Sequence, residues 1–227
     1  MLLSWNGDKK ELDKVEKYAE GLHLNLCAIE RPYHYSRNNN ELAKMGKEKC
    51  LLFLNDDVEL KDEFASKAMS MLDNDRVAFV GSMLKRPERT IQHAGVVAFV
   101  DGTGNLVGPA HYAYNHKEVA MPDFTPLAVT GACMMCRREM FLAMGGFNEQ
   151  YDEGFQDFEI CVKAVIERKT NVCLTSCCQL HDESATRDPK VLPHDSDILG
   201  SFWRYHIPAL MKSDSPSCAT ILERGQK

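Results

Sequence analysis

Apolar and polar residues fall in alternating blocks along the first eighty positions. "LLSW" at 2–5 reads as a short strand. Over 9–22, Leu12, Val15, Ala19 and Leu22 share one helical face, and Gly21 is a stop signal near its end. "LNLCAIE" at 24–30 is a second strand and "RPYHY" a loop. Ser36 then has the character of an N-cap for a helix through "RNNNELAKMGK". "CLLFL" at 50–54 predicts a buried strand. In the segment that follows, Phe64, Ala68, Met71 and Leu72 mark an amphipathic helix, and "VAFVG" from 77 is the next strand.

Strand–helix alternation with uninterrupted apolar strands predicts an α/β protein whose sheet is mostly parallel and covered on both faces. Residues 85–126 break the rhythm. They are rich in Gly, Pro, His and Tyr and predict an excursion with a hairpin around "AGVVAFV". Regularity returns at 126–147 as strand, turn, strand and a short helix ended by Gly145 and Gly146. "FQDFEICVKAVIER" follows as a helix and "TNVCLT" as a strand. From about 182 the chain reads as irregular until "SDILGSFWRYHIPALM". One domain over 1–212 is expected, with 213–227 as a linker or tail, so the chain is expected to be part of a longer one.

Composition narrows the classes. The 227 residues are 44% hydrophobic and 26% charged, which suits a globular domain with a substantial core. A formal net charge of −6 argues against a nucleic-acid partner, which calls for a basic surface. No apolar run approaches the roughly 18 residues of a membrane span, and the start is too soon polar for a signal peptide. A cytoplasmic location is expected. Several of the nine cysteines, such as Cys161 and Cys173, sit inside apolar runs and read as small buried hydrophobes in a reducing compartment. "CMMC" at 133–136 has CxxC spacing but lacks the second pair that a zinc site would want.

The chemistry gathers where strands end. "LLFL" runs straight into Asn55, Asp56 and Asp57, and adjacent carboxylates are unfavourable unless water or a cation relieves them. At the carboxyl end of a strand in an α/β sheet they suit Mg²⁺ or Mn²⁺ bridging a diphosphate. An Asx-rich turn capping the next helix fits the same residues. Asp157 and Glu159 fall in the first turn of a helix, where the dipole favours ionised carboxylates; that alone accounts for Glu159 on an outer face. His181, after a strand and a short polar run, is a metal candidate, and Arg187 could meet phosphate in a bidentate way. The helix opening at Ser36, with Arg37 and the asparagines behind it, is an anion site.

Four segments carry a resemblance: "YSRNNNELAK", "LLFLNDDV", "TIQHAGVV", and the block from "AVTGACMMC" to "HDESATR" that ends at Arg187. In order and residue type the chain resembles an inverting family 2 glycosyltransferase, in the rhamnosyltransferase-like branch of polysaccharide and O-antigen synthesis. The resemblance implies an α/β GT-A fold, Rossmann-like, with a central, mostly parallel mixed sheet between helices, here abbreviated at the N-terminus. It implies a nucleoside-diphosphate sugar donor, UDP by default, a glycan or glycoprotein acceptor, and Mn²⁺ (or Mg²⁺). "NDD" stands where the family has its D-x-D motif, so Asp57 is the principal metal ligand, with Asp56 beside it and His181 as a further ligand. Asp157 takes the place of the catalytic base. Ser4, Trp5, Asn6, Ser36, Arg37, Asn40, Asn55, Asp56 and Arg187 are implied nucleotide contacts. Thr130, Gly131, Ala132 and Gln156 are implied to line the sugar and acceptor space, with the His/Tyr-rich stretch at 93–116 as a further wall.

The departures from the family are Asn55 for the first Asp of the motif, Gln156 before the base, and one strand–helix unit too few before Ser36. They leave room for a catalytically inactive nucleotide- or glycan-binding module of the same fold. A nucleotidyltransferase also uses paired carboxylates and metal, but wants a Gly-rich, basic loop after the first strand, of which "SWNGDKK" is a poor version.

Overall fold

The computed structural model describes residues 2–5, 7–28, 32–118, 122–182 and 193–223. In chain order the elements are β1 (Leu2–Trp5), α1 (Leu12–Gly21), β2 (Asn25–Ala28), α2 (Tyr35–Met45), β3 (Cys50–Leu54), β4 (Val58–Glu59), α3 (Phe64–Leu72), β5 (Val77–Lys85) and β6 (Ile91–His93). They continue as β7 (Val96–Val100), β8 (Leu106–His111), β9 (Cys133–Arg137), α4 (Arg138–Ala143), α5 (Gln156–Ile166), β10 (Thr170–His181), α6 (Pro193–Leu210) and β11 (Ile221–Glu223).

The central sheet runs β3-β9-β5-β10-β4, with β6 on the end of β5. It is mixed, as expected, but its pairings are mostly antiparallel; among the described strands of this sheet, β5 with β10 is the parallel pair. The reason lies in β9. Its first residue, Cys133, pairs with the last of β3, Leu54, so β9 leaves the end at which β3 arrives and runs against both neighbours. β1 and β2 form a separate two-stranded parallel sheet, and β7, β8 and β11 a third sheet.

Alternation along β9 sorts the core into two layers. Cys133 and Met135 pack with Phe64, Ala68 and Leu72 of α3 and with Val80, Leu84 and Leu174. Met134 and Cys136 face the other layer, with Phe53, Phe79, Phe141, Phe158 and Trp203. The two CxxC thiols therefore lie on opposite faces of one strand, where period-two geometry keeps them apart. Burial pushes the Cys133 thiol up to about 12 and Cys136 well above the usual range. All nine cysteines are free.

Several expectations need correcting. The α2 N-cap is His34, whose Nδ1 accepts the Arg37 N–H at 3.3 Å; Ser36 lies inside the first turn. Met71 sits off the buried stripe of α3 and is exposed. The strand expected before the 130–132 turn is reduced to a bridge between Ala128 and Val96. β10 runs on to His181 through register shifts, because its polar residues find partners: Gln179 Nε2 donates to Asp62 and to Ser82 Oγ. The stretch from 213 to 223 is not a free linker. Ser213 Oγ donates to Val165 O, Ser217 Oγ accepts the Asn171 N–H, and β11 pairs in parallel with β7. Ser213 and Ser217 are spent on backbone groups of α5 and β10. Among the described residues no helix is long and apolar enough to cross a membrane.

Candidate functional site

The turn Thr130–Ala132 is where the candidate residues meet. Thr130 N–H donates to His93 Nε2 at 3.3 Å, and Gly131 N–H donates to Asp157 Oδ2 at 2.8 Å. Tyr35 O–H donates to Gly131 O at 2.8 Å, and Asn55 N–H to Ala132 O at 2.9 Å. Four distant segments are thereby held on three consecutive residues. Glycine is required at 131 by close approach: a Cβ there would stand 2.4 Å from the Tyr35 hydroxyl and 3.5 Å from the Asp157 Cβ. Burial, and next the Asp157 charge, push the Tyr35 phenol well above its usual pKa, so it serves as an O–H donor.

Asp157 lies in the first turn of α5, and its Oδ1 also accepts the Phe158 N–H at 2.8 Å. The preceding residues are constrained. Phe155 has φ +72, a left-handed conformation unusual outside glycine, and Gln156 is buried with Oε1 lacking a hydrogen bond. Glu159, expected on an outer face, is instead 3% exposed. It accepts from Tyr151 O–H at 2.8 Å and from Asn148, and pairs with Lys163 at 2.6 Å. Lys163 is one turn on in the same helix, but Asn148 and Tyr151 come from the loop before it, which sequence spacing does not display.

On the other side of the turn, the antiparallel pairing of β4 with β10 sets His181 opposite Val58 and brings His181 Nε2 to 2.9 Å from Asp57 Oδ1. The ring's Nδ1 meets Gln92 Oε1 at 2.6 Å. With the amide in this orientation, Nδ1–H donates to it, which leaves Nε2 facing a carboxylate oxygen. The contact is close but not aligned as a hydrogen bond, and Asp57 Oδ1 is a buried atom without one. Two facing acceptors repel unless a proton or cation lies between them. A nitrogen and an oxygen donor so arranged fit Mn²⁺ or Mg²⁺. Asp56 does not join them: it is exposed, and no group of three or more His, Cys, Asp or Glu forms among the described residues.

The expected nucleotide contacts divide. Ser4 and Trp5 are half-buried on β1, and Trp5 Nε1 is a buried donor without a partner. Ser36 Oγ is likewise buried and unbonded, and Arg37 is exposed, 3.8 Å from Glu149. Asn40 is corrected. Its Oδ1 accepts the Phe147 N–H and its Nδ2 donates to Phe147 O and Glu149, so its amide clasps the loop after α4. The clasp also explains Gly146, where φ is +74 and a Cβ would sit 2.5 Å from Asn40 Oδ1. Asn6 and Arg187 lie outside the described residues.

Residue reading missed Tyr35 and the separate duties of Gln92 and His93. Gln92 orients His181. His93 Nε2 takes the Gly95 and Thr130 N–H groups, so its Nδ1 proton goes to His111 Nδ1 at 2.8 Å. Burial, then His111 and His181, hold His93 well below the usual histidine pKa, hence neutral. The quoted "TIQHAGVV" contained both residues; which strand faced which was not in it.

No family model matches the chain. Among solved structures, GalNAc-T7 with UDP, GalNAc and Mn²⁺ superposes with a TM-score of 0.64 at 14% identity, over 79% of this chain and 37% of that one. S. aureus TarS gives 0.58 at 15% identity, over 96% and 35%. The mannosyltransferase PcManGT from Pyrobaculum calidifontis, in complex with GDP-Man and Mn²⁺, gives 0.56 at 15%, over 96% and 63%. The chain thus has the GT-A glycosyltransferase fold. In sequence it is 33% identical over 212 residues to the O-antigen biosynthesis protein RfbC of Myxococcus xanthus, covering 90% of this chain and 16% of that protein. It is 31% identical over 189 residues to the uncharacterized protein y4gI of Sinorhizobium fredii, covering 78% of this chain. The chain spans only 16% and 21% of those relatives' lengths.

Proposed function

We propose that the domain transfers a sugar from a nucleoside-diphosphate sugar, UDP-linked by default, to a hydroxyl of a glycan or glycoprotein, with inversion and with a divalent cation. The observation that carries this reading is the Gly131 N–H bond to Asp157 Oδ2, on the same turn that receives Asn55 from the Asp57 side. The likeness to GT-A enzymes holding UDP with GalNAc or GDP-Man, each with Mn²⁺, and to the O-antigen biosynthesis protein supports it.

Asp57 Oδ1 and His181 Nε2 would hold Mn²⁺ or Mg²⁺, with Gln92 fixing the imidazole's tautomer and orientation. When bound, the cation supplies charge neutralisation for the diphosphate leaving group. The buried, unpartnered Trp5 Nε1 and Ser36 Oγ are donors available to the nucleotide. Arg37, exposed at the opening of α2, adds charge there. Asp157 is the general base: it takes the proton from the acceptor hydroxyl as the new bond to the anomeric carbon forms. Gly131 keeps one of its oxygens aimed, and the half-buried Tyr35 locks that turn from behind. A single base on the acceptor side gives inversion in one displacement.

The test is calorimetric titration of UDP and GDP with Mn²⁺ or with EDTA, followed by transfer and hydrolysis assays on the corresponding sugar nucleotides. Metal-dependent binding with turnover is expected. Equal affinity in both buffers overturns the metal assignment, and metal-dependent binding without turnover identifies a binding module that has lost catalysis.

A further inference from the structure

Helix α6 grips the segment that carries the base at two points. Asp195, in the first turn of α6, is 1% exposed. Its Oδ1 accepts the Asp152 N–H at 2.9 Å, and its Oδ2 accepts those of Glu153 at 2.9 Å and Gly154 at 3.0 Å. Immediately after these amides come Phe155, in its left-handed conformation, and the start of α5. Further along α6, Trp203 stacks on Phe158, the residue after the base, with centroids 6.3 Å apart and planes 23° apart. Its Nε1–H donates to Gly104 O at 3.1 Å in the β7–β8 turn.

We propose that Asp195 is a positioning residue for the base; this rests on Asp157 being that base. A left-handed phenylalanine persists only where its surroundings over-determine it. Asp195 supplies that determination from the N-terminal side, by fixing three successive amides with one buried carboxylate, and Trp203 supplies it from the C-terminal side. If the 152–154 loop relaxes, Phe155 returns to an ordinary conformation, α5 rotates at its first turn, and Asp157 Oδ2 leaves Gly131. Among the described residues no hydrogen bond is shown between the Asp57–His181 pair and this loop, so the pair is expected to be untouched.

Asp195→Asn keeps one acceptor oxygen and turns an N–H₂ toward backbone donors. Expected are a fall in kcat of roughly 10²-fold, the scale for a misplaced catalytic group, with donor KM and calorimetric UDP affinity unchanged. Residue-resolved hydrogen exchange should show faster exchange at Asp152, Glu153 and Gly154 and, with them, at Gly131. Loss of protection at 152–154 with Gly131 unchanged, or an equal loss of UDP affinity and kcat, overturns the proposal. If the variant does not fold, the wild-type protein serves: in rising denaturant the four amides should exchange through one common opening, and an independent opening at Gly131 overturns the coupling. A wild-type protein without transferase activity defeats the functional reading, whereas the exchange experiment still decides whether Asp195 holds Asp157 in place.

Discussion

The two halves of the site hold a carboxylate each, and they treat it in opposite ways. Asp157 has both oxygens engaged by backbone N–H groups, on a turn fixed by Tyr35 and His93 and on a helix start fixed by α6. Asp57 has a buried oxygen without a hydrogen bond, facing an imidazole nitrogen whose ring is oriented by Gln92. A satisfied carboxylate is aimed and needs nothing more than substrate. An unsatisfied one in a buried site is costly until an opposite charge arrives. The Asp157 half is therefore preorganised in the protein alone, and the Asp57 half, under the function proposed above, would be completed by a bound cation.

The largest expected effect breaks the Asp157 half alone. Asp157→Asn preserves shape, so folding and UDP affinity survive, while kcat falls roughly 10²–10⁴-fold, the usual contribution of a general base. Steady-state kinetics with one donor and one acceptor check this, and a comparable loss of donor affinity would erase the distinction between the halves.

Gln92→Leu attacks the other half through its orienting residue. Metal affinity in the presence of UDP should drop roughly 10–100-fold, as for other outer partners of metal-binding histidines, with kcat at saturating metal close to wild type. Manganese titration by calorimetry reads it directly.

Glu159→Gln sharpens the comparison, because Glu159 shares the first turn of α5 with Asp157. Burial and the neighbouring Glu159 charge push the Tyr151 phenol up, in keeping with a tight structural cluster. The substitution should cost about 1–3 kcal/mol of stability, seen in a urea midpoint, with turnover of the folded protein nearly unchanged. Loss of turnover without loss of stability would move the base to Glu159.

The smallest effect is the pH response of the turn between the halves. His93 is buried neutral, with a folded pKa well below its ordinary 6.5. The unfolded chain then binds the extra proton first, so stability is full above about pH 6.5 and declines as pH falls from there toward the folded value. Urea midpoints across that window should fall for the wild type and less steeply for His93→Gln.

Much of this was legible beforehand. Leu51–Leu54 running into Asp56–Asp57, and the apolar stripes of α3 and α5, announced strands and helices by their own periodicity. Asp57, His181 and Asp157 stood out as chemistry-bearing residues at element ends. Spacing could not separate Asp157 from Glu159, since both complement the same helix dipole; partners from Gly131, Asn148 and Tyr151 do that. Asn40 read as a ligand donor and is a clasp, and no local pattern singled out Asp195, whose partners are backbone amides about forty residues away.

The sequence by itself determined the local elements and which residue types stood at their ends, because periodicity and capping are short-range properties of the chain. Tertiary structure decided the direction of β9, the docking of residues 213–223, and which buried polar atoms found partners. Those outcomes depend on contacts between residues far apart in the chain, such as the Gly131 hydrogen bond to Asp157 and the approach of Asp57 to His181, and no local pattern encodes which distant partner will arrive.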